Sequence, residues 1–362
     1  MKLLITLNTK DGALLNEHCR FYDKRIGQSV TLSGRQIVKH MNSQTNEIIT
    51  GVYQYDGDAI IYSDTDSTQF TAYPFLRDQI ENGEIEWNKE TCVNLYDTIA
   101  EQVNDSFPAF MEKAFHCPRK SGAIIKAGRE LIGDRAIFIA KKMYTINIFD
   151  LEGDRLDLIT DPVEAAKKGV NIGYGKVKAM GVALKRSDTP KYIQEFLMTV
   201  LCMVIQQGKQ RDEVIEKIKT FKNYLSEQDS WTKGNPKSVN KLTYHTAKFE
   251  KTGQCVVGHA RAAINYNYLR RMHGDNYSQK IVDGMKVIVC SLKPNPLGFT
   301  SIAYPTDELR LPQWFLDLPF DDKDMERKLI DEKIENLLGV LNWDLRIDTD
   351  TNSTFADLFN FD

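Results

Sequence analysis

The chain has 362 residues, of which 42% are hydrophobic and 27% charged, and its net charge is -3 at pH 7. This length and composition predict a globular protein with about two domains, each large enough to bury a core. No apolar run in the sequence approaches the roughly 18 residues that a membrane helix needs, so we expect no membrane partner. The six cysteines include no short-spaced pair, which argues against a zinc site or a disulfide framework and favours the reducing cytoplasm.

Charge is distributed unevenly along the sequence. Residues 117–147 contain seven basic and two acidic side chains, a net charge of +5. Residues 305–362 contain six basic and fifteen acidic ones, a net charge of -9. A basic middle segment can hold phosphate groups while an acidic end stays in solvent. On charge alone, two solvated faces without a function are an equally open interpretation.

The first half of the chain has a mixed pattern of helices and strands. In chain order, periodicity predicts a helix over about residues 27–45, a hairpin around 58–73 and helical stretches near 89–115. Alternating segments then follow at 136–150 and 154–160, joined by the turn sequence Glu152-Gly153-Asp154. This part of the chain is predicted to be α+β.

The second half opens with a predicted pair of helices. Apolar residues recur at helical spacing from Ile193 to Ile205, and Thr189 with Pro190 predicts an N-cap followed by a first-turn proline. A second apolar run extends over residues 214–225. We therefore predict an α+β fold in which the mixed region ends near residue 177 and a mainly helical region follows.

The sequence YSDTDS, residues 62–67, places two carboxylates one residue apart at the junction of the predicted hairpin. At strand spacing Asp64 and Asp66 point to one side, and a divalent cation removes the conflict between two such close acids. Carboxylate oxygens suit Mg²⁺ or Mn²⁺. A solvated acidic turn and a DxD nucleotide-sugar site of the glycosyltransferase kind are alternatives. A calcium loop is disfavoured because Gln69 and Phe75 stand where it needs Gly and Glu.

YSDTDS resembles motif C of the family B DNA polymerases, YGDTDS, with Ser63 in place of its Gly. Residues 141–144, KKMY, resemble the KKRY motif of the same family, with Met143 in place of Arg. Further stretches from GRELIGDRAIF to NPLGFTSIAYPTDEL are similar to the palm and thumb of the replicative DNA polymerases of T-even-type bacteriophages. The resemblance covers nearly all of this chain but only the C-terminal part of such a polymerase.

The resemblance implies a DNA-directed DNA polymerase (nucleotidyltransferase) in the cytoplasm of a bacterial host. It implies the end of a fingers helix at residues 1–16, a palm with an antiparallel sheet and packed helices at 17–177, a mainly helical thumb at 178–350 and a clamp-binding tail at 351–362. Two Mg²⁺ ions, replaceable by Mn²⁺, are expected at the catalytic residues Asp66 and Asp64.

The resemblance also implies the remaining site residues and partners. The deoxynucleoside triphosphate is expected to contact Asn8, Tyr62 and Thr65. The residues expected to bind primer-template DNA are Lys141, Lys142, Tyr144, Lys185, Arg186 and Arg261. An apolar cluster at the end of the chain is expected to dock on a sliding clamp, and it consists of Phe355, Leu358, Phe359 and Phe361.

Two family motifs are absent or incomplete. Motif A, a D-x-x-S-L-Y-P stretch with a second metal-binding aspartate, does not occur in the sequence. Motif B, K-x3-N-S-x-Y-G, is matched at Asn8, but Leu4 and Asp11 replace its Lys and Tyr. We therefore expect a split polymerase whose N-terminal subunit supplies motif A, most of the fingers and the exonuclease, and whose C-terminal subunit is inactive alone. A noncatalytic DNA-binding remnant is the alternative.

Overall fold

The structure is a computed structural model that describes residues 2–5, 14–182, 184, 186–255, 257–308 and 310–343, the first range as backbone only. These residues form two compact units. The first unit is drawn from Met1–Ala136 and Ile146–Lys178, and the second from Ile137–Thr145 and Ala179–Asp362. The assignment of the units to a palm and a thumb stays a prediction.

Helices and most of one antiparallel sheet make up the first unit, and this mixture confirms the α+β class; residues 137–140, 143–145 and 179–180 of the strands are grouped with the second unit. Its helices are α1 Lys24–Thr50, α2 Tyr73–Glu81, α3 Lys89–Phe115, α4 Arg119–Gly122 and α5 Pro162–Lys168. The strands are β1 Lys2–Ile5, β2 Ile60–Asp64, β3 Ser67–Phe70, β4 Ala127–Ala140, β5 Met143–Leu151, β6 Asp154–Arg155 and β7 Lys176–Met180. They form a seven-stranded sheet in the order β2-β3-β1-β4-β5-β6, with β7 also paired to β5.

The second unit is helical with a small sheet that the sequence pattern did not predict. Its helices are α6 Lys191–Ile205, α7 Arg211–Ser226, α8 Leu242–Thr252, α9 Gly258–Met272, α10 Gln313–Leu316, α11 Asp322–Glu326 and α12 Glu332–Leu338. The strands β8 Asn235–Ser238, β9 Lys286–Ser291 and β10 Ser301–Pro305 form an antiparallel sheet in the order β10-β9-β8. Proline and lysine within the sequence NPKS hide β8 from a search for alternating apolar residues.

Helix α1 is longer than the predicted range of residues 27–45 because both of its ends are capped by residues outside that range. At its start, the side chain of Asp23 accepts hydrogen bonds from the amides of Arg25 and Ile26. At its end, Gly51 adopts φ 79° and its amide donates to the carbonyl of Glu47. The prediction for α3, residues 89–115, is confirmed.

The cores of the two units are separate. In the first unit, α1 and α3 bury Met41, Val103 and Phe107 together with Phe70 of β3, all 0% exposed. Burial of each such side chain stabilises the unit by about 1.5–3 kcal/mol. In the second unit α9 packs against β9 and β10, with a core that includes Tyr266. Along the described part of the chain, no helix combines the length and the apolar character required to cross a bilayer.

The beginning of the chain differs from the prediction. Residues 1–16 were expected to end a helix, but Lys2–Ile5 form β1, which is antiparallel to both β3 and β4. The prediction is wrong for these four residues because β1 pairs with the facing edges of β3 and β4, which otherwise have unpaired backbone groups. Asn8 lies outside the described residues.

Two other boundaries also differ. Helix α6 begins at Lys191 with Pro190 as its N-cap, and no side chain caps it, so the predicted cap at Thr189 is wrong. The segment 154–160 was expected to alternate as a strand. Only Asp154–Arg155 pair with β5, and a 3-10 turn follows at Leu156–Leu158.

A buried histidine is expected to make the stability of the first unit dependent on pH. The ring of His40 stacks on Phe110 with centroids 4.0 Å apart. Its Nδ1 lies 2.8 Å from the Tyr53 hydroxyl and its Nε2 lies 2.9 Å from the Ser106 hydroxyl. Burial lowers the pKa of His40 from 6.5 to about 4.

Because the unfolded chain takes up a proton at His40 below pH 6.5 and the folded chain does not, the free energy of unfolding should fall as the pH drops from 6.5 to 4. After allowance for partial solvent contact we expect a loss of about 2 kcal/mol. Urea unfolding at pH 7 and pH 4.5 measures it. His40→Gln should be less stable at pH 7 but lack this part of the pH dependence; an unchanged pH dependence would assign it to other groups.

Candidate functional site

The two predicted acids lie at a tight hairpin turn. Asp64 ends β2 and pairs with Ser67 at the start of β3, so Thr65 and Asp66 alone form the turn. Thr65 adopts φ 55°, and the amide of Asp66 donates to the carbonyl of Asp64 at 2.7 Å. The chain thus reverses between the two acids. The two acids therefore do not belong to one strand, as the prediction assumed, although both lie at the tip; that their carboxylates point to one side stays a prediction.

Side-chain hydroxyls stabilise this turn. Ser63, which replaces the expected Gly, donates to the carbonyl of Ser67 at 2.9 Å, and Ser67 donates to the carbonyl of Asp64 at 3.2 Å. Thr65 Oγ1 donates to Asp64 Oδ1 at 3.2 Å. These local bonds hold the turn in one conformation, and one of them orients the carboxylate of Asp64.

A cavity of about 710 Å³ lies between α1 and the hairpin. From the hairpin, Tyr62, Thr65 and Asp66 line it, whereas Asp64 does not. The structure thus brings three of the predicted site residues to one cavity. A space of this volume is within the range of small-molecule sites.

Two cations on α1 also line the cavity, and the sequence interpretation missed them. Arg35 and Lys39 are four residues apart and so share one face of the helix. Lys39 Nζ lies 4.7 Å from the centroid of the Tyr55 ring, which is another wall of the cavity. Cations and Asp66 therefore line the same cavity. The signal in the sequence was the basic pair in RQIVK, residues 35–39, which a surface helix also commonly carries.

Two buried asparagines of α1 hold the loop between α1 and β2, which carries Tyr55 and forms another wall of the cavity. Asn42 Nδ2 donates to the carbonyl of Tyr55 at 3.2 Å. Asn46 Nδ2 donates to the carbonyl of Val52 at 2.8 Å, and its Oδ1 accepts from the amide of Ala59 at 3.1 Å. These bonds tie the loop between α1 and β2 to the helix. The loop that carries Tyr55 is therefore held against the same helix as Arg35 and Lys39.

Asp64 and Asp66 can supply some of the oxygen ligands that a hard cation such as Mg²⁺ needs, but not a full set. Mg²⁺ commonly binds one or two protein carboxylates together with water and substrate phosphates, and Asp66 and Asp64 can supply those oxygens. Within the described ranges, no group of three or more His, Cys, Asp or Glu side chains gathers as a metal site.

The predicted DNA-binding segment forms the turn between β4 and β5, at the tip grouped with the second unit. Lys141 and Lys142 are exposed, and Lys142 adopts φ 63°. Gly181 approaches this turn so closely that a Cβ would lie 2.1 Å from the Lys142 carbonyl oxygen. Tyr144 is only 6% exposed and stacks on Phe138 beneath the turn, and its predicted contact with DNA stays a prediction.

The other predicted residues lie elsewhere or outside the described ranges. Arg186 is exposed and forms an ion pair with Asp188 at 3.0 Å, and Arg261 is half-buried near the start of α9. Both line another cavity, in the second unit. The residues whose placement is not described are Asn8, Lys185, Phe355, Leu358, Phe359 and Phe361.

Comparison with known proteins identifies viral DNA polymerases as similar sequences. No family model matches the chain. It is 26% identical over 314 residues to the DNA-directed DNA polymerase of Enterobacteria phage T4. It is also 26% identical over 324 residues to that of Escherichia phage RB69. These alignments cover 83% and 84% of this chain but only 32% of each relative. The chain thus resembles a phage DNA polymerase over most of its own length and spans about a third of its relatives.

Proposed function

We propose that this chain is the C-terminal subunit of a split DNA-directed DNA polymerase and acts together with an N-terminal subunit. The observation that carries the proposal is Asp66 in a two-residue hairpin turn that opens on a cavity with two cations. The similarity to the two phage polymerases supports it.

In the proposed reaction the primer 3'-oxygen attacks the α-phosphorus of a nucleoside triphosphate and pyrophosphate leaves. Two bound Mg²⁺ ions would supply Lewis-acid stabilisation of the attacking and leaving oxygens. Asp66 would hold these ions and Asp64 would assist, while Thr65 keeps the turn in shape. Arg35 and Lys39 could bind the triphosphate charge, because both line the same cavity as Asp66.

The companion subunit would supply what this sequence lacks. Nucleotidyl transfer with two ions requires more carboxylate oxygens than Asp64 and Asp66 provide. No D-x-x-S-L-Y-P stretch occurs in the 362 residues. We propose that the companion carries this second acid, most of the fingers and the 3'-5' exonuclease.

DNA and a sliding clamp are the other proposed partners. Lys141 and Lys142 are exposed at a sharp turn, which suits contact with phosphates of any DNA sequence. The proposed clamp-binding residues 355–361 lie outside the described part of the chain. Their apolar cluster suits a groove on a partner protein, as short peptides with apolar anchors do.

Primer extension tests the proposal. The full chain alone, with primer-template DNA, nucleoside triphosphates and Mg²⁺, should add no nucleotides. Extension should appear when an N-terminal polymerase chain with motif A and the fingers is added. Extension by the chain alone would contradict the requirement for a companion. Failure with candidate companions in both Mg²⁺ and Mn²⁺, although the complexes form, would favour a noncatalytic DNA-binding protein.

A further inference from the structure

A cavity of about 780 Å³ in the second unit contains several features of an anion site. It lies where the start of α9 meets β8, β9, β10 and α12. Arg186 and Arg261 line it, but most of its polar lining was not identified from the sequence. It is separate from the cavity beside Asp66, which is lined only by residues of the first unit.

The amino terminus of α9 opens into this cavity. The helix begins at Gly258, and the preceding Val257 offers no side-chain cap. The first amide to bond back is that of Arg261, which donates to the carbonyl of Val257, so the amides before it have no partner within the helix. Apart from its chain neighbours and the backbone of its own helix, no atom of the described residues lies within 4 Å of the position that a Gly258 Cβ would take. A ligand can therefore approach these amides and the positive end of the helix dipole.

Buried polar atoms without a partner line the same cavity. Thr189 is 3% exposed, and its Oγ1 has no hydrogen-bond partner among the described residues. The same holds for the buried Nε of Arg261 and the buried Oγ of Ser301. Since Thr189 does not cap α6, its hydroxyl has no structural role in that helix. Buried polar groups are usually hydrogen-bonded, so three such atoms on residues that line one cavity need a partner, and a polar ligand would supply one.

The charged lining favours an anion. Five basic side chains line the cavity, and these are Arg186, Lys237, Arg261, Lys328 and Lys333. Only three carboxylates do so, and these are Asp188, Asp324 and Glu332. Asp188 is shared between Arg186 at 3.0 Å and Lys237 at 2.9 Å. The pKa of Lys333 is lowered, first by burial and also by Lys237 and Arg186, although Asp188 and Glu332 oppose the change.

We propose that this cavity binds a phosphate group through the amino terminus of α9, the Thr189 hydroxyl and the Arg261 guanidinium. The amides at the start of α9 and the Arg261 guanidinium can only donate hydrogen bonds, and the Thr189 hydroxyl can rotate to donate one. Such a set of donors suits the acceptor oxygens of phosphate. A phosphodiester of duplex DNA and a free phosphate or nucleotide present the same chemistry. The DNA source rests on the proposed function, whereas the phosphate site itself does not.

Two binding measurements on the full chain test the site. One is the anisotropy of labelled duplex DNA across a salt series, and the other is ³¹P line broadening with inorganic phosphate. Thr189→Val removes the hydroxyl at nearly constant shape, Thr189→Ser keeps it, and Arg261→Gln removes the charge. Lys217→Gln, at an exposed position of α7, is the control for general charge.

We expect Arg261→Gln to weaken duplex binding by roughly tenfold and to reduce the salt slope by about one. Thr189→Val should weaken it by roughly fivefold, and Thr189→Ser should behave like the parent. If the same variants also lose affinity for inorganic phosphate, the result supports the site and supports duplex DNA as the source of the phosphate group. Loss for phosphate alone supports the site but assigns a free phosphate or nucleotide to it.

Unchanged binding of both ligands in folded Thr189→Val and Arg261→Gln proteins overturns the inference. This result is distinguishable from failure of the proposed function, which primer extension measures separately. A chain without polymerase activity can still lose phosphate binding in these variants. An active complex whose DNA and phosphate binding do not depend on Thr189 and Arg261 would leave the polymerase proposal standing and remove this site.

Discussion

Asp66→Asn, in the complex of this chain with its proposed companion, is expected to slow nucleotide addition by roughly a thousandfold or more. The amide removes one negative charge where two cations must be held, and loss of several kcal/mol of electrostatic stabilisation corresponds to a change of that size. Single-nucleotide incorporation at saturating triphosphate and Mg²⁺ measures the effect. Exonuclease activity of the same complex should be unchanged because the proposed exonuclease lies in the companion.

A matched control distinguishes the metal role of Asp66 from general loss of acidity. Asp58 is an exposed acid just before β2, and it is not among the residues that line the cavity. Asp58→Asn should keep nucleotide addition near the parent rate. Incorporation by Asp66→Asn at the rate of this control would remove Asp66 from the mechanism.

Lys233→Met is expected to lower the free energy of unfolding of the second unit by about 3 kcal/mol. Lys233 is 2% exposed, and its Nζ lies 3.0 Å from Glu326 and 3.3 Å from Asp322. It also donates to the carbonyl of Ser226 at 3.3 Å. Methionine fills the same space but leaves two carboxylates without their cation, a change that typically costs about 3–5 kcal/mol for a buried pair. Partial exposure of Asp322 places the expected loss near the lower value.

Urea unfolding followed by tryptophan fluorescence measures this loss. The control is Lys217→Met, because Lys217 is exposed on α7 and has no ion pair among the described residues. The double variant Lys233→Met with Glu326→Leu should regain part of the stability, since one uncompensated acid is then absent. A double variant less stable than Lys233→Met would show that the loss has another cause.

The sequence predicted the elements whose periodicity is local. Helix α3 and the hairpin of β2 and β3 were found because their apolar spacing and turn residues lie within one short segment. The strands β1 and β8 were missed because their pairing depends on residues far away in the chain. Leu4 pairs with Ser67 and Pro236 with Ile288, and no local pattern encodes such partners.

The sequence indicated the acids of the candidate site but not the side chains that the fold brings beside them. The hexapeptide singled out Asp64 and Asp66 and predicted that they alternate along one strand, but the backbone reverses at Thr65. Arg35 and Lys39 were missed since they reach the site only through the fold of α1 against the hairpin. The burial of Tyr144 was also missed, because a motif defines residue types and not their packing.

The central position of β1 bears on how fast two subunits could assemble. Residues 2–4 pair with β3, and Lys2–Ile5 pair with β4 along the other edge. Leu4 pairs with Ser67, and the two strands are antiparallel. In any strand that pairs with β3 in the same register, the residue that follows the partner of Ser67 therefore lies beside Asp66. If the proposed companion delivers its acid on a strand in this position, that strand has to displace Lys2–Ile5 first. Assembly would then be limited by a unimolecular opening step, and its rate would level off however concentrated the companion becomes.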